Sequence, residues 1–332
     1  PSEKVGILAG DRIISANDTV IAGKKLANRQ VMKTLRGPKG STVNLKVKRG
    51  DELVDFAVVR DDIPLYSVDE TFMADPTTGY IRITRFAEET AKEVQQAMAK
   101  LKKQGMKNLI LDVSGNGGGY LGAAFELASE FLPVGTPVVS TAGRRAQPYK
   151  YVTEGQGSFL DGRLVVIADQ SSASASEILS GALQDNDRAL VVGRRTFGKG
   201  LVQRPFPFPD GSMIRLTVSR YYTPSGRCIQ RPYEKGHGEE YYLDMLNRYK
   251  SGELWSADSI ARPDSLKYET LRNHRPVYGG GGIIPDVFVP ADTSYYSAYY
   301  RDLIAKGVVN RTVINYVDAN RKTPHNEHPT AA

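Results

Sequence analysis

The sequence predicts an α/β protein with a partly parallel sheet. Two short apolar runs, Asn108–Val113 (NLILDV) and Arg163–Asp169 (RLVVIAD), have the length and composition of buried strands. Around them, Glu88–Gln104 and Leu121–Leu132 space their apolar residues as helices do. Strand, helix and strand therefore alternate from Gly79 to Ser140, the order that builds parallel sheets through crossover units.

Length and composition bound the reading. A chain of 332 residues can hold two domains with a sizeable core. The net charge is +7, but the basic residues are scattered among acids without a dense run, which argues against a nucleic-acid partner. No stretch approaches the ~18 apolar residues of a membrane helix. No signal segment opens the chain, and Pro1 reads as a cut within a domain, so targeting information is expected to lie elsewhere. Cys228 stands alone, so no internal disulfide is expected.

Residues 1–63 alternate strands with one helix. Arg12–Ala16 reads as a strand, and Leu26–Leu35 as a helix stopped by Gly37-Pro38-Lys39-Gly40. Val43–Lys48 and Leu53–Val59 alternate with period two around Arg49-Gly50-Asp51-Glu52, a hairpin signal. EKVGILAGDRIISAND and LRGPKGSTVNLKVKRG resemble the later two-thirds of a protease-associated PDZ domain. That resemblance implies binding of C-terminal peptides by strand addition. Its carboxylate loop and first strand would precede Pro1, so this partial PDZ domain is expected to be either a peptide reader or a structural lobe.

Asp61–Thr78 reads as a connector, Gly79–Thr84 as a strand, and Val138–Thr153 as a hairpin. Ser114–Tyr120 (SGNGGGY) follows a buried strand and opens a helix. Three readings compete for it. One is a plain tight turn. Another is dinucleotide binding, since Gly117, Gly119 and Gly122 fit G-x-G-x-x-G and Arg144 and Arg145 suit a 2′-phosphate, although the expected acid is missing. The third is an oxyanion hole built from backbone amides.

Gln170–Gln203 is the stretch on which the chain turns. Its serines sit where Arg163–Asp169 hands over to a helix, and amides at a helix N-terminus favour an anion. Ser174-x-x-Glu177 also fits a capping box, which by itself needs no chemistry. Thr196–Gln203 (TFGKGLVQ) changes the balance: a lysine between two glycines suits a buried amine, and Lys199 and Gln203, four apart, share one face. A neutral lysine can serve a serine as base. His237, His274, His325 and His328 carry no motif.

SASASEI, QDNDRALVVG and TFGKGLVQ, in this order and spacing, resemble the C-terminal processing peptidases, also called tail-specific proteases. The resemblance implies a mixed and parallel-sheet core of the ClpP/crotonase-like type. It also implies a serine endopeptidase with Ser174 as nucleophile, Lys199 as base and Gln203 supporting the lysine. DVSGNGGG at 112–119 matches the family's D-L-R-x-N-x-G-G, with Val113 and Ser114 replacing leucine and arginine. Gly118 or Gly119 would supply one oxyanion amide and Ala175 the other. Asp185 matches a family acid, but about 16 Å of helix separates it from Ser174, so a supporting or structural role is expected. No metal or cofactor is implied. The implied partners are protein or peptide substrates with free C-termini, and the implied location is extracytoplasmic (periplasmic).

The domains expected are 1–63, a partial PDZ domain; 64–293, the peptidase core; and 294–332, a helical tail. Within the core, 230–278 reads as an insertion of short helices in loops, with ornament as its default role. In the tail, Tyr295, Tyr296, Tyr299 and Tyr300 form a stripe that suits packing or a homo-oligomer. Two further classes compete: an NADP-binding enzyme using 117–122, which leaves TFGKGLVQ unexplained, and a catalytically silent peptide- or lipid-binding protein on the same fold.

Overall fold

The structure is a computed structural model that describes residues 1–233, 236, 238–292, 294 and 297–320, and all counts refer to these. The chain divides into two compact units, Pro1–Leu65 with Asp292–Ala332, and Tyr66–Ala291.

In the first unit, strands β1 (Arg12–Ala16) and β2 (Thr19–Val20) precede helix α1 (Asn28–Leu35), and β3 (Thr42–Arg49) and β4 (Glu52–Val59) follow. They form an antiparallel sheet in the order β2-β1-β3-β4. Arg49 pairs with Glu52, which leaves Gly50 and Asp51 as a two-residue hairpin loop, and Gly50 takes the positive φ such a loop needs. Val43, Leu45 and Val47 alternate inward and meet Ala16 and Val58 in a small core. Arg49 closes on Asp11 through two hydrogen bonds of 3.0 and 2.6 Å.

In the second unit, β5 (Val68–Met73), β6 (Thr78–Ile83), α2 (Thr90–Lys103), β7 (Asn108–Asp112) and α3 (Leu121–Ser129) come first. Next come β8 (Pro137–Ala142), β9 (Tyr149–Val152), β10 (Leu164–Ala168), α4 (Ala175–Asp185) and β11 (Leu190–Gly193). The unit continues with β12 (Leu201–Pro207), β13 (Met213–Tyr222), α5 (Gly238–Lys250), β14 (Lys267–Glu269), β15 (Pro276–Tyr278) and β16 (Val287–Phe288). A six-stranded sheet runs β16-β11-β10-β7-β6-β5, parallel except for β5. Ile81, Leu109, Leu111 and Val166 bury one face of it with Val94, Met98, Leu101, Leu127, Leu179 and Leu183 from α2, α3 and α4.

Three differences from the sequence reading have physical causes. The connector expected at 61–78 contains β5, whose pattern is masked because it is an edge strand carrying Asp69 and Glu70. β8 does not continue the parallel sheet; it pairs with β13 and β9 in a second, antiparallel sheet, order β12-β13-β8-β9. The insertion holds α5, a helix of 13 residues, and the β14–β15 hairpin.

The tail, in the first unit, forms α6 (Ala298–Ala305) and α7 (Val308–Asn320) and not one continuous helix, because Gly307 turns the chain at φ 62. Tyr299 is exposed, and Tyr295 and Tyr296 of the expected stripe lie outside the described residues.

Candidate active site

Three neighbouring parallel strands, β7, β10 and β11, deliver three loops at their C-terminal ends. Open α/β sheets place their ligands at such ends. β7 leads into the glycine loop at 113–120, β10 into the serine turn at 169–174, and β11 into the loop at 194–200 that carries Lys199. A cleft of about 690 Å³ lies among them, lined by Gly117, Gly118, Gly119, Ser174, Lys199, Gln203 and Tyr221 with several others. The structure thus brings the serine, lysine, glutamine and glycines of the sequence reading to one cavity. No hydrogen bond links Ser174, Lys199 and Gln203 to one another among the described residues. A β-bulge between Val202 and Gln203 breaks the strand alternation that spacing alone would give.

Ser174 sits immediately before α4 with φ 57 and ψ −110. A non-glycine residue rarely holds such a conformation unless its surroundings impose it. Asn116 supplies part of that frame. Its carbonyl accepts from Ala173 N at 3.0 Å and Ser176 Oγ at 2.9 Å, and its side chain donates to Ile83 O at 2.8 Å. The serine turn explains Gly118, and Phe86 explains Gly119. A Cβ on Gly118 would lie 2.6 Å from Ala173 O and 2.8 Å from Ser174 Cβ, and one on Gly119 would lie 2.0 Å from Phe86 O. Side chains are therefore excluded where the glycine loop meets the serine turn. These close approaches are to protein backbone, so they do not favour the dinucleotide reading of 117–122.

Glu177 holds the serine turn and the lysine loop together. It is fully buried in the first turn of α4. Its Oε2 accepts from Ser174 N (2.8 Å) and Lys199 N (2.9 Å); its Oε1 accepts from Thr196 Oγ1 (2.6 Å) and Gly198 N (2.7 Å). Burial pushes this carboxyl up from its ordinary range, against the hydrogen bonds that pull it down. The glutamate half of the capping box is thus formed, whereas the Ser174 side chain makes no capping bond. The sequence pattern Ser-x-x-Glu signalled the first contact; nothing in it signalled the three to the lysine loop.

Tyr221 adds a second tie. Its hydroxyl meets Ser174 O at 3.0 Å and also Lys199 O. Burial is the main cause that raises the phenol well above its ordinary range, so it stays a neutral donor. Gly118 N donates to Asn116 Oδ1 at 2.8 Å, so that amide already has a partner. Of the two glycines expected at the oxyanion position, Gly119 is the one whose amide makes no such internal bond. Ala175 N stands in the first turn of α4, where amides have no intrahelical acceptor. Asp185, at the far end of α4, lies outside the cleft, where its fully buried carboxylate pairs with Arg227 at 2.7 Å and accepts from Ser225 N at 3.0 Å.

The insertion braces the lysine loop from behind. Gly200 N donates to Gln230 Oε1 (2.9 Å) and Arg231 N to Gly198 O (3.1 Å). From α5, Arg248 donates to Thr196 O (3.0 Å) and Arg195 O (2.5 Å), and Glu253 pairs with both Arg248 and Arg195. Arg231 lies between the rings of Phe197 and Tyr241, 4.0 and 3.9 Å from their centroids. Ornament, the default for this segment, does not describe these contacts.

Comparisons with known proteins give the family likeness of the chain. The profile of peptidase family S41 matches residues 77–236, and that of the PDZ domain matches residues 1–59. The carboxy-terminal processing protease CtpB of Bacillus subtilis (strain 168) is 39% identical over 276 residues, 81% of this chain and 54% of that protein. A carboxyl-terminal-processing protease of Picosynechococcus sp. is 40% identical over 235 residues, 70% of this chain and 56% of that protein. Among solved structures, a photosystem II D1 C-terminal processing protease is 28% identical with a TM-score of 0.49, covering 87% of this chain and 66% of that one. The chain spans about half the length of the curated relatives it matches. With a PDZ domain at residues 1–59 ahead of a peptidase family S41 region at 77–236, the chain is similar to carboxy-terminal processing proteases.

Proposed function

We propose that this chain is a serine endopeptidase working through a Ser174–Lys199 pair. Ser174 Oγ attacks the scissile carbonyl carbon. Lys199 takes the hydroxyl proton and passes it to the leaving amine, and water then releases the acyl group by the same route. The amides of Gly119 and Ala175 face the developing oxyanion, and Gln203 supports the lysine from the cleft wall. The observation that carries this reading is the strained Ser174, held with the Lys199 loop by one buried carboxylate at the edge of one cleft. Ser174→Ala and Lys199→Arg, each with native circular dichroism, are expected to lose hydrolysis of an unfolded protein substrate, arginine because it stays protonated. Full activity in either variant would overturn the assignment.

The PDZ domain supports a second element of the proposal, recognition of substrates at or near a free C-terminus. Peptides ending in an apolar free acid are expected to bind the Ser174→Ala protein more tightly than the same peptides amidated. Equal affinities would leave the first unit a structural lobe. On the same reading the enzyme acts outside the cytoplasm, which cell fractionation tests. A second copy docking through α6 and α7 would cover the exposed Tyr299, Val313 and Tyr316, and sedimentation velocity reads that assembly.

A further inference from the structure

We propose that the peptidase unit carries a carboxylate-binding groove beside its cleft, and that it thereby favours acidic polypeptide segments; this rests on the peptidase reading above. A groove of about 1010 Å³ adjoins the cleft, and Leu121 and Val202 line both. A chain lying in the cleft can therefore continue into the groove. Arg144, Arg145 and Arg204 line the groove, and no carboxylate is among its lining residues. On the cleft side Arg215 adds a fourth guanidinium, again with no acid in the lining.

The arginines have no partners of their own. Among the described residues, the guanidinium groups of Arg144, Arg145, Arg204 and Arg215 make no ion pair or hydrogen bond. Other guanidiniums of this unit have carboxylate partners, as where Arg227 meets Asp185, Arg275 meets Asp187 and Asp286, and Arg195 meets Glu253. The groove gathers three unpaired guanidiniums on one surface with no acid among its lining residues. Its geometry is also fixed. A Cβ on Gly143 would lie 2.2 Å from Val218 O, so the loop bearing Arg144 and Arg145 is pressed onto β13. Arg204 faces Leu216 in register on the β12–β13 hairpin.

Guanidinium groups bind carboxylates through paired N–H donors. Each contact here is exposed and weak alone, but three on one groove add, and they attract anionic chains before contact. The carboxylate has two sources, an Asp or Glu side chain or the α-carboxylate of a free C-terminus. Neither source is used by the proposed chemistry, so the groove acts on selection and not on the bond-breaking step.

The test compares kcat/KM for matched quenched peptides with Gln or Glu at three positions on either side of the cut, each as free acid and as amide. The protein and its Arg144→Gln/Arg145→Gln/Arg204→Gln variant are measured at low and high salt. The Glu-to-Gln ratio is expected to be about tenfold in the parent at low salt, and to fall toward one in the variant and in high salt. If the acid-to-amide ratio collapses in the variant instead, the groove binds the α-carboxylate. Unchanged ratios of both kinds overturn the proposal. Should no peptide be cut, the peptidase reading fails, and fluorescence anisotropy of the same labelled peptides decides the groove. Acidic peptides bound at least about fivefold more weakly by the variant uphold it; equal binding overturns it.

Discussion

At the scale of single residues, Ser174 and Glu177 carry opposite burdens. Ser174 stores backbone strain of about 1–3 kcal/mol, the usual cost of a non-glycine residue at such φ and ψ. Glycine relieves it, so Ser174→Gly is expected to be more stable than Ser174→Ala by about 1 kcal/mol, with both inactive. Equal denaturant midpoints would mean that the turn is not strained. Glu177 offsets the strain by satisfying four donors in a buried place. Glu177→Gln turns one acceptor oxygen into a donor facing donors, which costs about 2–4 kcal/mol and lowers kcat more than it raises KM. A variant with native stability and kcat would remove Glu177 from the frame. The motif SASASEI made Ser174 legible from sequence. The role of Glu177 was not legible, because three of its four bonds come from residues 19 to 22 positions away.

At the scale of elements, the chain order was readable where apolar runs are buried and unreadable where pairing is remote. NLILDV and RLVVIAD are β7 and β10, central parallel strands whose alternate residues are buried and the rest half-buried. β8 follows a helix as a parallel strand would, yet its partners are β9 and β13, and β13 begins more than 70 residues later. The brace on the lysine loop was hidden for the same reason. Arg248 reaches 52 and 53 residues back to the carbonyls of Thr196 and Arg195. Arg248→Met is therefore expected to lower kcat about tenfold or more with a smaller change in KM, as a displaced base would. Arg248→Lys should not restore it, since a single ammonium cannot span two carbonyls and Glu253. A loss confined to thermal stability, with unaltered kcat, would make α5 a structural brace only.

At the scale of the whole molecule, the two units have unequal cores. In the first, a buried cluster of Ala16, Val43, Leu45, Val47 and Val58 holds the sheet. The second has a cluster that runs from Ile81 to Ile283 across one face of a six-stranded sheet. Apolar burial scales stability at roughly 25 cal/mol per Å², so the first unit opens more readily. Native-state hydrogen exchange is expected to release the amides of β1, β3 and β4 before those of β6, β7 and β10. Simultaneous exchange of both sets would show one cooperative body.

The shared carboxylate of Glu177 has a consequence for motion. Ser174 N and Lys199 N are hydrogen-bonded to the same oxygen atom. Fluctuation of that oxygen relative to the sheet is common to both loops and cancels in the interval between them. The gap between the two backbone nitrogens is thereby decoupled from breathing of the rest of the unit, as the jaws of a caliper keep their setting when the tool is moved. Backbone relaxation at 174 and 199 should then share one exchange rate, and in Glu177→Gln the two rates should part.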